Sequence, residues 1–201
     1  MTRISVIDYG VGNLFSMQNA LKKTGTEVEV VKTPSEILSA DGVVLPGVGN
    51  YGAAAQKLSA VAEAICEAAG NGTPLLGSCL GMQLLFERSE EGEGSGLGLL
   101  KGWIKKFDEG KKIPHMGWNT INAVRESPLL EGIPEGSYFY FVHSFYPEPV
   151  NKEDILAETI YGERFTSLVE RGNIYGAQFH PEKSGKPGAI LLKNFLEIIR
   201  R

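Results

Sequence analysis

The strongest constraint on this chain is a repeated order of short apolar runs and helical stretches. Apolar runs at residues 4–8, 27–32, 42–46 and 74–77 alternate with segments of helical periodicity. After the corner Gly47-Val48-Gly49-Asn50, one long helix is expected. Its apolar face is Leu58, Val61, Ala62, Ile65 and Ala69, and Gly70-Asn71-Gly72 ends it. Strand–helix–strand order implies a parallel sheet, because each crossover helix returns the chain to the end of the sheet it left. Ligands of such sheets bind beyond the carboxyl ends of the strands. The glycine-rich corners after Pro46 and around Cys79 both fall there.

The second half has a different rhythm. A Gly- and Glu-rich loop at 90–98 precedes strand-like runs at 103–107, 138–142, 155–159, 166–169 and 174–179. Turns such as Pro147-Glu148-Pro149 and Arg171-Gly172-Asn173 separate them, as in an antiparallel section. A last helix, opened by Pro187, buries Leu191, Leu192, Phe195, Ile198 and Ile199. The expected fold class is α/β: a mostly parallel central sheet flanked by helices, with an added antiparallel β section. No internal repeat or long linker divides it, so residues 1–201 read as a single domain.

Composition removes several functions. A hydrophobic share of 42% with 22% charged residues is globular rather than disordered. The net charge is −4, and the basic pairs Lys105-Lys106 and Lys111-Lys112 are too short to track phosphates, so no nucleic-acid partner is expected. No run approaches the roughly 20 apolar residues that span a bilayer, so no membrane partner is expected either. Asp8 interrupts the amino-terminal apolar run before it resembles a secretory signal. With only Cys66 and Cys79 there is no disulfide framework, and a reducing cytoplasm is the expected compartment.

Gly77-Ser78-Cys79-Leu80-Gly81 places a cysteine in the G-x-nucleophile-x-G pattern, between a strand and a helix expected to run to about residue 88. So tight a turn strains its central residue and displays its side chain at the end of the sheet. The helix amino terminus below favours negative charge, hence thiolate. The Leu80 N–H points where a tetrahedral oxyanion would form. Cys66, near the Leu58/Ala62/Ile65 face, reads as packing.

A thiolate needs a proton-transfer partner, and the histidines are His115, His143 and His180. In Gln178-Phe179-His180-Pro181-Glu182, residues two apart share a face, so Glu182 can fix the tautomer of His180. His143 is the second choice of base. His115, near Trp118, reads as structural or interfacial. Gly47, Gly49 and Gly52 match G-x-G-x-x-G, a weak dinucleotide signal, but the next strand ends in Gly77-Ser78-Cys79 rather than an acidic residue. The loop reads better as a second oxyanion arm. The Val48 N–H would be its donor, and the glycines on both sides would let that peptide flip. No Cys, His and Glu spacing suits a metal, so neither metal nor cofactor is expected.

Gly77-Ser78-Cys79-Leu80-Gly81-Met82-Gln83 and Phe179-His180-Pro181-Glu182 resemble the two signatures of class I (triad) glutamine amidotransferases. Further segments are similar to one branch of that family, which serves a cyclase forming imidazole glycerol phosphate in histidine biosynthesis. They are Asp8-Tyr9-Gly10-Val11-Gly12-Asn13, Pro46-Gly47-Val48-Gly49, Pro114-His115-Met116-Gly117-Trp118-Asn119, Tyr140-Phe141-Val142-His143-Ser144 and His180-Pro181-Glu182-Lys183-Ser184. The resemblance runs from residue 4 to about residue 199. It departs at Ser78, where Val or Ile is expected, and at Phe145, where Tyr is often found.

The resemblance implies a three-layer class I glutamine amidotransferase-like fold and a mechanism. Cys79 attacks the side-chain amide of L-glutamine while the Val48 and Leu80 amides hold the oxyanion. His180, supported by Glu182, protonates the departing ammonia and later activates water to hydrolyse a glutamyl thioester. Gln83 and Glu91 match positions that grip the amino-acid end, with backbone help at Gly49 and Ser144. The ammonia passes to a separate (β/α)8-barrel cyclase subunit in a heterodimer, faced by Trp118, Tyr140 and Lys183. Gating is implied too: hydrolysis stays low until the cyclase binds its own ligand, and the Gly47-Val48-Gly49 peptide is the expected switch. The competing readings are a glutaminase serving the anthranilate or GMP enzymes, a non-catalytic regulatory relative, and a cysteine peptidase or other thiol hydrolase.

Overall fold

A computed structural model describes residues 2–108, 110 and 112–201; Lys111, half of one basic pair above, lies outside the described residues. The amino-terminal half runs β1 (Arg3–Ile7), α1 (Leu14–Lys22), β2 (Glu27–Val31), α2 (Pro34–Leu38), β3 (Gly42–Leu45), α3 (Tyr51–Leu58), α4 (Ala62–Gly70), β4 (Leu75–Ser78) and α5 (Leu80–Gln83). The rest supplies β5 (Arg88–Ser89), β6 (Gly102–Lys106), β7 (His115–Thr120), β8 (Asn122–Ala123), β9 (Tyr138–His143), β10 (Phe145–Pro149), β11 (Ile155–Tyr161), β12 (Glu163–Arg171), β13 (Ile174–Ala177) and α6 (Gly185–Ile199).

The main sheet has the order β2-β1-β3-β4-β13-β12-β11-β8. It is parallel from β2 to β13, and antiparallel beyond. Its central strands β3, β4 and β13 are buried on both faces, with side chains alternating between two cores. Val43 and Leu45 enter the core shared with α2, α3 and α4, while Val44 enters the core shared with α1 and α6. Helices on both faces of a mostly parallel sheet, with antiparallel strands added, are the three layers expected. β13, from late in the chain, lies between β4 and β12, with Ala177 beside Ser78. That insertion carries the segment containing His180 to the strand that ends at Cys79.

The helix expected to run to residue 88 ends at Gln83. The carbonyls of Leu84 and Leu85, which a longer helix would use internally, accept from the N–H groups of Leu97 (2.8 Å) and Leu100 (3.0 Å). Leu84, Leu85 and Phe86 are all fully buried, which no one-faced surface helix permits. The long helix expected after Asn50 is two helices, α3 and α4, broken at Ser59-Ala60-Val61. Pro34 does more than end β2. It opens α2 behind a Thr33/Glu36 capping box, with Glu36 Oε2 accepting from Thr33 N–H at 2.9 Å.

A stretch read as a turn and one given no element are strands. Pro147-Glu148-Pro149 belongs to β10, which pairs with β6 at the edge of a three-stranded sheet, where a missing N–H is tolerated. The segment around His115 is β7, antiparallel to β9, and the register sets His115 directly opposite His143.

Candidate active site

Cys79 sits between β4 and α5 with φ 53° and ψ −111°, and is the only non-glycine residue at positive φ among the described residues. Such a conformation costs about 1–3 kcal/mol and persists only where the surroundings enforce it. The flanking glycines are dictated by close approach. A Cβ on Gly77 would lie 2.6 Å from the Gly81 carbonyl oxygen, and one on Gly81 only 1.7 Å from that of Leu45. Cys79 N–H donates to Ala177 O at 2.7 Å, tying the corner to β13. The thiol reaches Val142 O at 3.8 Å, and the Gln178 amide nitrogen lies 3.9 Å from the sulfur.

His180 follows β13 and is held by its backbone on both sides. Its N–H donates to Tyr140 O at 2.9 Å, and its carbonyl accepts from the Ser184 hydroxyl at 2.6 Å. The ring and the Glu182 carboxylate are almost fully buried, with Nδ1 2.8 Å from Oε1. A carboxylate can only accept, so Nδ1 carries a proton and Nε2 is the nitrogen free for chemistry. Nε2 is buried and has no hydrogen-bond partner among the described residues. Burial opposes a charged ring, but the adjacent Cys79 and Glu182 side chains outweigh it and raise the imidazole to about 9. His180 is therefore a proton donor at neutral pH.

A cleft of about 170 Å³ opens over the sulfur, lined by Val48, Gly49, Cys79, Leu80, Gln83, Glu91, Val142, His143, Ser144 and Phe145. It thus gathers Cys79 with both expected oxyanion positions and all four expected substrate positions; His180 and Glu182 are not in its wall. Gly47 packs directly on the start of α5. A Cβ there would lie 2.9 Å from Gly81 N and 2.7 Å from the Tyr9 hydroxyl. Val48 is exposed, and Gly49 has φ +111° in open space.

The weak dinucleotide signal has a local explanation. The amino terminus of α3, where a pyrophosphate would sit, is occupied by Glu91, whose Oε2 accepts from Tyr51 N–H at 2.7 Å. Gly52 is needed because a Cβ would lie 2.5 Å from Glu93 O. Burial raises the Glu91 carboxyl. No cluster of three or more metal-ligating side chains exists among the described residues. No helix among them is long and apolar enough to cross a membrane.

Trp118, Tyr140 and Lys183 form one cluster. The Trp118 and Tyr140 rings are 5.8 Å apart, and Lys183 Nζ stands 5.9 Å from the Tyr140 ring centre. Trp118 is more than half exposed, and Tyr140 also approaches the His180 ring, at 6.4 Å. His143 is not available as a base, since Nδ1 is engaged by Phe145 O and Nε2 by His115. Cys66 is half-buried, its thiol against Leu97 O, and burial raises its pKa. Sequence reasoning missed Gln178 and Tyr9. Gln178 was detectable, being two residues before His180 and so on the same face. Tyr9 donates to Pro46 O at 2.8 Å, and that contact joins two distant corners without a local signal.

The family model for class-I glutamine amidotransferases matches residues 5–199, and the chain belongs to that family. It is 51% identical to the imidazole glycerol phosphate synthase subunit HisH of Wolinella succinogenes, over 97% of this chain and 99% of that one. It is 50% identical to the subunit of the same name in Moorella thermoacetica, over 100% of this chain and 97% of that one. Among solved structures, a glutamine amidotransferase superposes with a TM-score of 0.78 at 21% identity, covering 98% of this chain and 99% of that chain. A chain of PurLQS from Thermotoga maritima gives 0.77 at 23%, covering 98% of each. These two likenesses concern the fold.

Proposed function

We propose that this chain is the glutaminase subunit of an imidazole glycerol phosphate synthase, hydrolysing L-glutamine and supplying ammonia for histidine biosynthesis. The observation that carries the reading is the buried His180–Glu182 pair, 2.8 Å apart, on the segment that β13 carries to the strand ending at Cys79. The near full-length match, at 51% and 50% identity, to the HisH subunits above supports the particular synthase.

In this mechanism the Cys79 sulfur, its proton handed to His180 Nε2, attacks the amide carbon of glutamine. The carbonyl oxygen takes up negative charge between the Leu80 and Val48 N–H groups. The C–N bond breaks as His180 Nε2 passes its proton to the nitrogen, which leaves as ammonia. The neutral imidazole then takes a proton from water, whose oxygen attacks the thioester, and glutamate departs as the thiol re-forms. Gln83, Glu91, Gly49 and Ser144 hold the amino-acid end in the cleft. Loss of one oxyanion donor costs about a hundred- to a thousand-fold in rate, so rotation of the Val48 peptide is a sufficient switch.

The partner in this reading is a (β/α)8-barrel cyclase subunit, bound as a heterodimer in the cytoplasm. Trp118, Tyr140 and Lys183 are its contact, a partly exposed aromatic and basic cluster next to the catalytic histidine. Residues 1–201 act as one domain, as a sheet threaded by strands from both halves of the chain suggests. Glutamate release is to be measured with the chain alone, with the cyclase, and with cyclase plus its nucleotide ligand. The reading expects low, intermediate and high rates, all abolished in Cys79→Ala. Full activity of the isolated chain removes the gating. Covalent labelling by a glutamine-shaped electrophile at Cys66 instead of Cys79 removes the glutaminase assignment.

A further inference from the structure

The proposed chemistry leaves two histidines unused, yet both are buried and they touch. His115 Nδ1 lies 3.1 Å from His143 Nε2, and His143 Nδ1 lies 2.8 Å from Phe145 O. Asn119 Nδ2 lies 3.3 Å from His115 Nε2. A carbonyl only accepts, so His143 Nδ1 carries its proton. A neutral His143 then accepts at Nε2, so His115 donates from Nδ1 and accepts at Nε2 from the Asn119 amide. The Asn119 amide is itself oriented. Its Oδ1 accepts from Thr120 N–H at 2.8 Å and its nitrogen donates to Ile160 O at 3.0 Å. Burial lowers both rings, His115 to about 4 and His143 to about 3, so both are neutral and the hydrogen bonds run one way. Stacking between Phe141 and Tyr161 fixes the plane of His115.

The chain of bonds ends in the glutamine cleft. Phe145 O accepts a second bond, from Gln83 Nε2 at 3.0 Å, and that nitrogen also donates to Gln178 Oε1 at 3.2 Å. Both hydrogens of the Gln83 amide are thereby turned inward. The atom it can present to the cleft is Oε1, an acceptor suited to the ammonium group of an amino acid. We infer that His115 and His143 are positioning residues for glutamine, a neutral imidazole pair that fixes the Phe145 carbonyl, and through it the Gln83 amide, from strand β7. The inference rests on the glutaminase reading. It adds that β7, which also carries Trp118, has a direct hydrogen-bonded line to the substrate cleft.

The test is steady-state glutaminase kinetics of the full chain with its cyclase partner, together with alkylation of Cys79 by iodoacetamide, which needs no glutamine recognition. His143→Leu removes the donor to Phe145, whereas His143→Asn keeps a donor near the Nδ1 position. Losing one well-made hydrogen bond to the orienting carbonyl should raise KM for glutamine about ten-fold in His143→Leu, with kcat little changed. His143→Asn should restore most of KM, and iodoacetamide should react equally fast with all forms. If His143→Leu does not fold, His115→Phe keeps the aromatic stack but breaks the bond to His143, and should also raise KM. An unchanged KM in these variants overturns the inference. So does His143→Asn behaving no better than His143→Leu, or a parallel fall in iodoacetamide reactivity. If glutamine fails to protect Cys79 from alkylation in the unchanged protein, the glutaminase reading falls, and the positioning role with it.

Discussion

His180 Nδ1 and Glu182 Oε1 stand 2.8 Å apart, both side chains almost fully withdrawn from water. Burial alone would lower the imidazole, but Cys79 and Glu182 raise it to about 9. The alkaline limb of kcat/KM is therefore expected near pH 9, where His180 loses the proton that the proposed mechanism passes to ammonia. Glu182→Gln removes one of the raising influences, so that limb should move toward the ordinary imidazole value, and kcat at pH 8 should fall about a hundred-fold. The stability sign follows. A raised histidine stabilises the fold fully below its unfolded value near 6.5, and that share disappears as pH rises through about 9. A pH series of melts on both proteins measures it.

The two other histidines act in the opposite direction. His115 and His143 are lowered to about 4 and about 3. The unfolded chain binds these two protons near pH 6.5, and the folded chain refuses them until far lower. Stability should fall as pH drops from about 6.5 toward 4, with close to two protons taken up on unfolding. Urea titrations across this range should show that slope in the native protein, and His143→Asn should reduce it by about one proton.

The positive φ of Cys79 is a measurable cost. Glycine at this position removes about 1–3 kcal/mol of backbone strain, offset by roughly 0.5–1 kcal/mol of extra chain entropy lost on folding. Cys79→Gly should therefore be about 1 kcal/mol more stable than Cys79→Ala, with both inactive. Equal denaturation midpoints would mean that the corner is relaxed.

Gly81 and Gly70 make a controlled pair. A Cβ on Gly81 would collide with Leu45 O, whereas one on Gly70 meets nothing within 4 Å. Gly81→Ala should cost more than about 4 kcal/mol or abolish folding, and Gly70→Ala should change stability by no more than about 1 kcal/mol. Chemical denaturation of both, monitored by circular dichroism, separates the outcomes.

What was legible in the sequence was what is local. Strand and helix periods showed in the first half because each apolar run serves one core or two at a fixed spacing, as Val43, Val44 and Leu45 do. Cys79, His180 and Glu182 were visible because each lies in a short motif whose geometry follows from its neighbours. Illegible features depended on distant partners. α5 goes no further because Leu97 and Leu100 take the carbonyls of Leu84 and Leu85 just beyond it, and the prolines of β10 are harmless because the strand is an edge. The His115–His143 bond needs the register of β7 against β9, which no periodicity reports. Tyr9 likewise gains its role only when β1 and β3 lie side by side and bring its hydroxyl to Pro46.

The place of β13 between β4 and β12 has a consequence for biosynthesis. While a ribosome is still translating the last strands, the emerging polypeptide already owns its sulfur but not the imidazole that must act with it. On the proposed mechanism, a product that stops short of this strand cannot consume glutamine. In the proposed mechanism the reaction becomes available only once this late strand has slotted into the middle of the sheet.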